Sequence, residues 1–321
     1  MADRMMVFAT GSGRVLAEKI CGHLSVNLGD ALVGRFGDGE VRVEIKQNVR
    51  GADLYIVGSL CPPAENWIEM MLLCEAARYS SAERITLVPT YLGYNRQDRK
   101  DKPRVPISAH VMMDMLKHRG ADRALLFDLH SEQTAAHFHP QMVTDHLYGS
   151  IVAVPYLRTI LSGDYVVAAP DNGAVPRASK YLELLNNGEA SLVICDKRRK
   201  NAGAVEKVNI IGDVAGKHVL IVDDIIDSGG TLIANAKAAK DAGAKDMYAF
   251  ATHALFSKGA AIFDDSPFSE IIVTDSIPHT PERLETKRVK VTVLSLAPKV
   301  AEAIRRTHDG QSLSEMITAR T

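Results

Sequence analysis

Cysteine is scarce in this 321-residue chain: Cys21, Cys61, Cys74 and Cys195 are the only four, and no two stand at C-x-x-C spacing. That excludes a disulfide framework and a zinc ribbon, and it predicts buried thiols in a reducing compartment. A surplus of one charge is also missing, with 38 Lys plus Arg against 39 Asp plus Glu. A nucleic-acid-binding surface would ordinarily raise the basic count, so no nucleic-acid partner is expected. No apolar run approaches the ~20 residues of a membrane span. The apolar run within Met1–Thr10 is too short for a secretion signal and lacks a cleavage site. These absences predict a cytoplasmic protein with no membrane partner. Familiar nucleotide and metal motifs are absent too. Residues 212–217 fail the P-loop spacing, Gly11-Ser-Gly13 lacks the third glycine of a dinucleotide fingerprint, and there is no H-E-x-x-H. His137 and His139 flank Phe138, a pattern that suits a surface or an interface better than a metal site.

Ordinary globular composition remains, 46 % hydrophobic and 24 % charged. The length predicts two domains. Apolar strand-like runs at Met5–Ala9, Leu54–Val57, Ile85–Val88 and Ala124–Phe127 alternate with helical stretches Arg14–His23, Asn66–Tyr79 and Ile107–Arg119. The series resumes with strands at Tyr165–Ala168, Leu192–Cys195, Val219–Val222, Met247–Ala251 and Ile271–Thr274. Its helices fall at Val175–Leu185, Thr231–Ala242 and Lys258–Phe263. Apolar strands separated by amphipathic helices predict two doubly wound α/β domains with mainly parallel sheets. The expected domains are residues 1–150 and 151–321, with the C-terminal tail returning to the first.

The most informative stretch is His218-Val-Leu-Ile-Val-Asp-Asp-Ile-Ile-Asp-Ser-Gly-Gly-Thr231. A buried strand at 219–222 leads into a loop, and a helix starts at Thr231. The loop therefore lies at the C-terminal edge of a sheet, where α/β folds bind ligands. Ser228, Gly229, Gly230 and Thr231 offer backbone N–H groups, hydroxyls and little bulk at a helix N-terminus, which suits a phosphate. Asp223 and Asp224 can accept hydrogen bonds from vicinal hydroxyls or help hold a hydrated Mg²⁺. A phosphate beside a diol is a sugar phosphate. A plain N-capped helix would explain one Asp and one Ser, but not two adjacent acids directly after a buried strand.

This segment resembles the phosphoribosyl pyrophosphate loop of type I phosphoribosyltransferases and ribose-phosphate diphosphokinases. The rest of the chain resembles the diphosphokinases. Phe36-Gly-Asp-Gly-Glu40 and Tyr94-Asn-Arg-Gln-Asp-Arg-Lys100 are similar to that family's two nucleotide segments. Asp128-Leu-His130 is similar to its Mg²⁺ segment, and Asp196-Lys-Arg-Arg199 to the start of its catalytic loop. The order and spacing match over residues 5–315, and Ala301–His308 resembles the family's last helix.

The resemblance implies a reaction: the C1 hydroxyl of ribose 5-phosphate attacks the β-phosphorus of MgATP, and AMP leaves. Phe36, Asp38, Gly39, Glu40, Arg96, Gln97, Asp98 and Arg99 would bind ATP. Arg199, Asp223, Asp224, Asp227, Ser228, Gly229, Gly230 and Thr231 would bind ribose 5-phosphate. Lys197 and Arg199 would be catalytic, and His130 and Asp171 would face Mg²⁺. From residue chemistry alone, Arg96 and Arg99 suit phosphate and Gln97 an adenine edge, while a solvated charged loop is an equal reading. Asp171 is a natural oxygen donor to Mg²⁺, whereas His130 enters only by resemblance. The basic run 197–200 reads either as a solvated patch or as a lid that closes cations over the transferred group. No general base stands out.

The resemblance further implies a homo-oligomer, a hexamer built from dimers, with phosphate as activator and ADP as inhibitor. Several positions depart from the family pattern. Ala174 replaces a glycine, His110 stands where Lys is common, and Thr134-Ala-Ala136 and the tail 312–317 also differ. The last three lie near positions the family uses for regulation. Two other readings share some of these features. A phosphoribosyltransferase would use the 223–231 loop but not the segments 36–40 and 94–100. A non-catalytic regulatory homologue would have lost positions such as Lys197, Arg199, Asp223 and Asp224, which are all present.

Overall fold

The computed structural model describes residues 4–161, 163–185, 190–198 and 207–318. The chain divides into two compact units, residues 1–148 with 276–278 and 296–319, and residues 149–275 with 279–295 and 320–321.

The first unit opens with β1 (Met5–Ala9) and α1 (Arg14–Leu24), followed by an antiparallel hairpin of β2 (Ala31–Arg35) and β3 (Val41–Ile45). Then come β4 (Asp53–Leu60), α2 (Glu65–Tyr79), β5 (Arg84–Leu92), α3 (Ser108–Lys117), β6 (Arg123–Phe127) and β7 (Val143–Leu147). Five strands form one parallel sheet in the order β1-β4-β5-β6-β7. Every residue of β4 is buried, as a strand covered on both faces requires. On one face Phe8, Leu54, Ile56, Ile85, Leu87 and Leu126 pack against Trp67 and Met70 of α2 and Met113 of α3. The hairpin is absent from the sequence expectation. Its strands are partly exposed and separate from the main sheet, so they lack the continuous apolar run that marks a buried strand.

The second unit begins with α4 (Ser150–Ile160), β8 (Tyr165–Ala169), α5 (Val175–Leu185), β9 (Ser191–Arg198) and β10 (Lys207–Ile211). It continues through β11 (His218–Ile226), α6 (Gly230–Asp241), β12 (Met247–Ala254), β13 (Phe268–Thr274), α7 (Pro281–Leu284) and β14 (Lys290–Leu294). Its sheet runs β10-β9-β8-β11-β12-β13-β14, parallel except for β10. Alternate residues of each strand feed two cores. Val166, Val219, Ile221 and Ile271 pack with α6, and Val167, Leu220, Val222 and Phe250 pack with α4 and α5. Strand order reverses between β8 and β11, which is the point where open α/β sheets bind ligands.

Two expectations change here. Lys258–Phe263 is not an α-helix: a six-residue 3-10 turn, Ala260–Asp265, follows Gly259 at φ 75°. The strand expected at 219–222 continues to Ile226, because Ile225 and Ile226 pair with His253 and Ala254 of β12. Asp223 and Asp224 therefore belong to the strand rather than to a loop.

The tail forms α8 (Ala297–His308) and α9 (Ser314–Thr318) and belongs to the first unit. Asp53, with no exposed side-chain surface, fastens it there. It accepts from Arg84 Nε at 2.8 Å, from Tyr55 at 2.9 Å, and pairs with His308 Nδ1 at 2.7 Å. Arg84 also donates to the Thr307 carbonyl at 3.0 Å.

Candidate active site

In the second unit, β8 and β11 each end in a turn carrying predicted residues. After β8, Asp171 Oδ1 accepts from the Ala174 N–H at 3.0 Å and caps the 3-10 turn Asn172–Ala174. The second carboxylate oxygen of Asp171 takes no part in that cap. The methyl of Ala174 lies among the apolar side chains of the α4–α5 core, with Tyr181 and Ala178. The glycine-to-alanine departure is thereby absorbed by packing.

At the end of β11, Asp223 and Asp224 stand side by side. Asp223 Oδ1 accepts the Asp224 N–H at 2.9 Å. Burial, and then the neighbouring Asp224 carboxylate, push the Asp223 carboxyl up to about 8, against the pull of Arg177. Arg177 was missed by sequence reasoning. It stands in the first turn of α5, and its Nη1 lies 3.2 Å from Asp224 Oδ1. The one available signal was an arginine just after the Asp171 turn.

Asp227 and Ser228 lead into Gly229, whose φ is 71°. A Cβ on Gly229 would come within 2.6 Å of Ile262 and 2.8 Å of Phe263, so glycine is required by both conformation and space. Gly230 opens α6, and its missing Cβ faces open space beyond Ser228. The start of α6 at Gly230 thus presents helix N-terminal N–H groups to an open approach. Asn235, fully buried on α6, donates to the Pro170 carbonyl at 2.9 Å and so ties this helix to the Asp171 turn.

Lys197 and Arg198 were expected in a loop, but their backbone extends β9, where Lys197 pairs with Val208 of β10. The return strand supplies the ladder that prolongs it. Arg199 and the remainder of the 197–206 loop lie outside the described residues.

In the first unit the predicted nucleotide residues fall on two turns. Phe36, Asp38, Gly39 and Glu40 form the tip of the β2–β3 hairpin, closed by Phe36 N–H to Glu40 O at 2.8 Å. Asp38 Oδ1 accepts the Glu40 N–H at 3.0 Å, and Gly39 adopts φ 96°. Phe36 is 51 % exposed, with Arg42 5.5 Å from its ring centroid. The hairpin is anchored by Glu69 of α2, which is nearly buried. It holds Arg35 at 2.8 Å and accepts the Gly11 N–H at 2.8 Å. A protein carboxylate thus occupies the first amide of the Gly11-Ser12-Gly13 turn.

Arg96, Gln97, Asp98 and Arg99 follow β5. Their lead-in is fixed by Gly93, where a Cβ would meet the Leu60 carbonyl at 2.3 Å, and by Tyr94 at φ 59°. Trp67, the chain's one tryptophan, meets Tyr94 edge-on at 6.0 Å and donates to Leu60 O at 3.0 Å. Thr134 donates to the buried Asn95 at 2.6 Å, and Ser108 donates to Gln97 Oε1 at 2.5 Å. Thr134, a departure from the family pattern, therefore has a supporting role of its own. His110 stacks edge-on with His137 at 5.1 Å. Burial, then His110 and Lys117, lower the His137 pKa, with Asp98 opposing.

His130 lies exposed beyond β6. Asp128 before it adopts φ 34° and donates its N–H to Leu147 O at 3.0 Å, and Leu129 N–H donates to His146 Nε2 at 3.0 Å. Among the described residues, no three His, Cys, Asp or Glu side chains form a ready metal cage. That donor set suits a Mg²⁺ that keeps its waters and phosphate ligands and takes few protein oxygens, such as the second oxygen of Asp171.

A parallel α/β sheet with paired acids and a glycine-rich helix start at its switch point is the frame of a protein that handles phosphorylated sugars. A family profile described as the N-terminal domain of ribose phosphate pyrophosphokinase matches residues 5–120, and one described as a phosphoribosyl synthetase-associated domain matches residues 188–318. A ribose-phosphate pyrophosphokinase of Shewanella oneidensis is 44 % identical over 315 residues, covering 97 % of this chain and 98 % of the relative. One from Caldanaerobacter subterraneus is 43 % identical over 320 residues, with 98 % of each chain covered. The crystal structure of phosphoribosylpyrophosphate synthetase from Mycobacterium smegmatis superposes with a TM-score of 0.87 at 32 % identity, covering 96 % of this chain and all of that one. The chain belongs to the ribose-phosphate pyrophosphokinase family.

Proposed function

We propose that this enzyme transfers the terminal diphosphoryl group of MgATP to the C1 hydroxyl of ribose 5-phosphate, releasing AMP and forming phosphoribosyl pyrophosphate for nucleotide biosynthesis. The observation that carries the assignment is the joined set Asp223–Asp224 and Gly229–Thr231 on one strand–helix turn, in a chain that matches the family over its whole length.

Gly229, Gly230 and Thr231 hold the 5-phosphate through N–H groups, with Asp227 and Ser228 completing the loop. Asp223 and Asp224 accept from the ribose hydroxyls. Phe36 offers a face for the adenine, with Asp38, Gly39 and Glu40 shaping the hairpin that presents it. Arg96 and Arg99 hold nucleotide phosphate, while Gln97 and Asp98 address the base and sugar. Lys197 and Arg199 neutralise charge on the transferred group, which needs no covalent intermediate. When bound with the nucleotide, Mg²⁺ supplies further charge neutralisation, with Asp171 and His130 as the residues that would face it. Orientation of two substrates provides much of the remaining rate.

The cytoplasm suits four buried cysteines that form no disulfide. Among the described residues no helix is long and apolar enough to cross a membrane. Assembly of dimers into a hexamer, activation by phosphate and inhibition by ADP belong to the same reading, and sedimentation and effector titrations test them. The reaction is tested by incubating the enzyme with ATP, Mg²⁺ and ribose 5-phosphate. AMP should form only when the sugar is present, and Lys197→Ala should lower the rate by roughly 100-fold or more. ADP as the product would mean an ordinary kinase and would refute the assignment.

A further inference from the structure

Arg177 leaves the Asp171 turn in the first turn of α5 and reaches the neighbouring strand β11. Its Nη1 lies 3.2 Å from Asp224 Oδ1 and 4.0 Å from Asp223 Oδ1. The side chains are 21 % exposed for Arg177, 6 % for Asp224 and 22 % for Asp223. Two acidic side chains this close and this buried disfavour a second negative charge, and Arg177, nearer to Asp224 than to Asp223, gives the negative charge of the pair a partner. A guanidinium is always charged and planar, and it holds a carboxylate in a defined direction.

The pair is anchored from two sides. The Asp224 N–H fixes Asp223 Oδ1 at 2.9 Å, and Arg177 fixes Asp224 Oδ1. The support behind them is rigid as well. Asn235 of α6 donates to Pro170 O at 2.9 Å, joining the phosphate-loop helix to the turn that starts α5. The same guanidinium offsets negative charge in a cradle that must admit a phosphorylated, anionic sugar.

We propose that Arg177 is a positioning residue for sugar recognition. It holds Asp224 oriented beside Asp223, so that the two acidic side chains present a preset group of oxygens to the vicinal diol of a phosphorylated pentose. This rests on the reading of residues 223–231 as the ribose 5-phosphate cradle.

Steady-state kinetics on the full-length enzyme tests it, with Arg177→Met, Arg177→Lys, Arg177→Ala, Asp224→Asn and the Arg177→Met/Asp224→Asn double variant. Arg177→Met should raise KM for ribose 5-phosphate by roughly 10- to 100-fold, as loss of an orienting partner does elsewhere, and leave KM for ATP unchanged. Arg177→Lys should fall between Met and wild type, because it keeps the charge without the planar fork. Added guanidinium ion should restore part of the lost sugar affinity to Arg177→Ala. The double variant should bind the sugar no worse than the weaker single variant, because both changes remove one arrangement. A wild-type sugar KM in Arg177→Met, alongside a raised one in Asp224→Asn, would overturn the inference alone. Equal loss for both substrates with no guanidinium rescue would overturn it too, as the mark of a purely structural arginine. An unchanged sugar KM in Asp224→Asn would overturn the cradle reading and the inference with it.

Discussion

Gly229 has two independent reasons to be glycine, and they separate cleanly in a substitution. Its φ of 71° is costly for a residue with a side chain, and a Cβ would press on Ile262 at 2.6 Å. We predict that Gly229→Ala destabilises the protein by about 1–3 kcal/mol and raises KM for ribose 5-phosphate without changing KM for ATP. Thermal melting and substrate kinetics check the two effects. This glycine was legible in the sequence, because Ser-Gly-Gly-Thr at a strand-to-helix junction has few other uses. Arg177, Glu69 and Ser108 were not legible. Each acts through a partner at least 11 positions away in the chain, as Ser108 does with Gln97, so no local spacing marks it. Asp171 could be picked out as an oxygen donor, yet its capping bond to Ala174 appears only with the turn in place.

At the scale of elements, α8 is held to the first unit through Asp53. Burial raises the Asp53 pKa, but hydrogen bonds from Arg84, His308 and Tyr55 outweigh it and hold the carboxyl below its usual value. A carboxyl with a depressed folded-state pKa contributes stability that is complete above its unfolded value of about 4 and is lost as pH falls through the folded value. Wild-type stability should therefore fall on acidification through that range, and Asp53→Asn should lack this component. At neutral pH Asp53→Asn should cost about 2–3 kcal/mol, less than a fully buried pair because Arg84 is partly exposed. Denaturant titrations of both proteins at several pH values measure this directly. Strands with apolar runs, such as β4 and β12, were readable from the sequence because burial on both faces leaves a continuous hydrophobic signature. The hairpin β2–β3 and edge strands β10 and β14 were not, since partial exposure breaks that signature. The extension of β11 over Asp223 and Asp224 was hidden for a related reason: two acids interrupt the apolar run, while the ladder to β12 continues beneath them.

At the scale of the whole molecule, the paired α/β units follow from repeated strand–helix alternation. Residues 296–319 belong with the first unit, 148 positions or more after Tyr148 in the chain, through contacts such as Asp53 to His308. The reaction also belongs to this scale. Its defining feature is the bond that breaks in ATP: the α–β bridge rather than the β–γ bridge. ATP labelled with ³²P at the β position distinguishes these outcomes in one incubation with ribose 5-phosphate and Mg²⁺. The account predicts that the label moves to the sugar product and that the released nucleotide, AMP, carries none. Label retained in a nucleoside diphosphate, with the sugar product unlabelled, would contradict it.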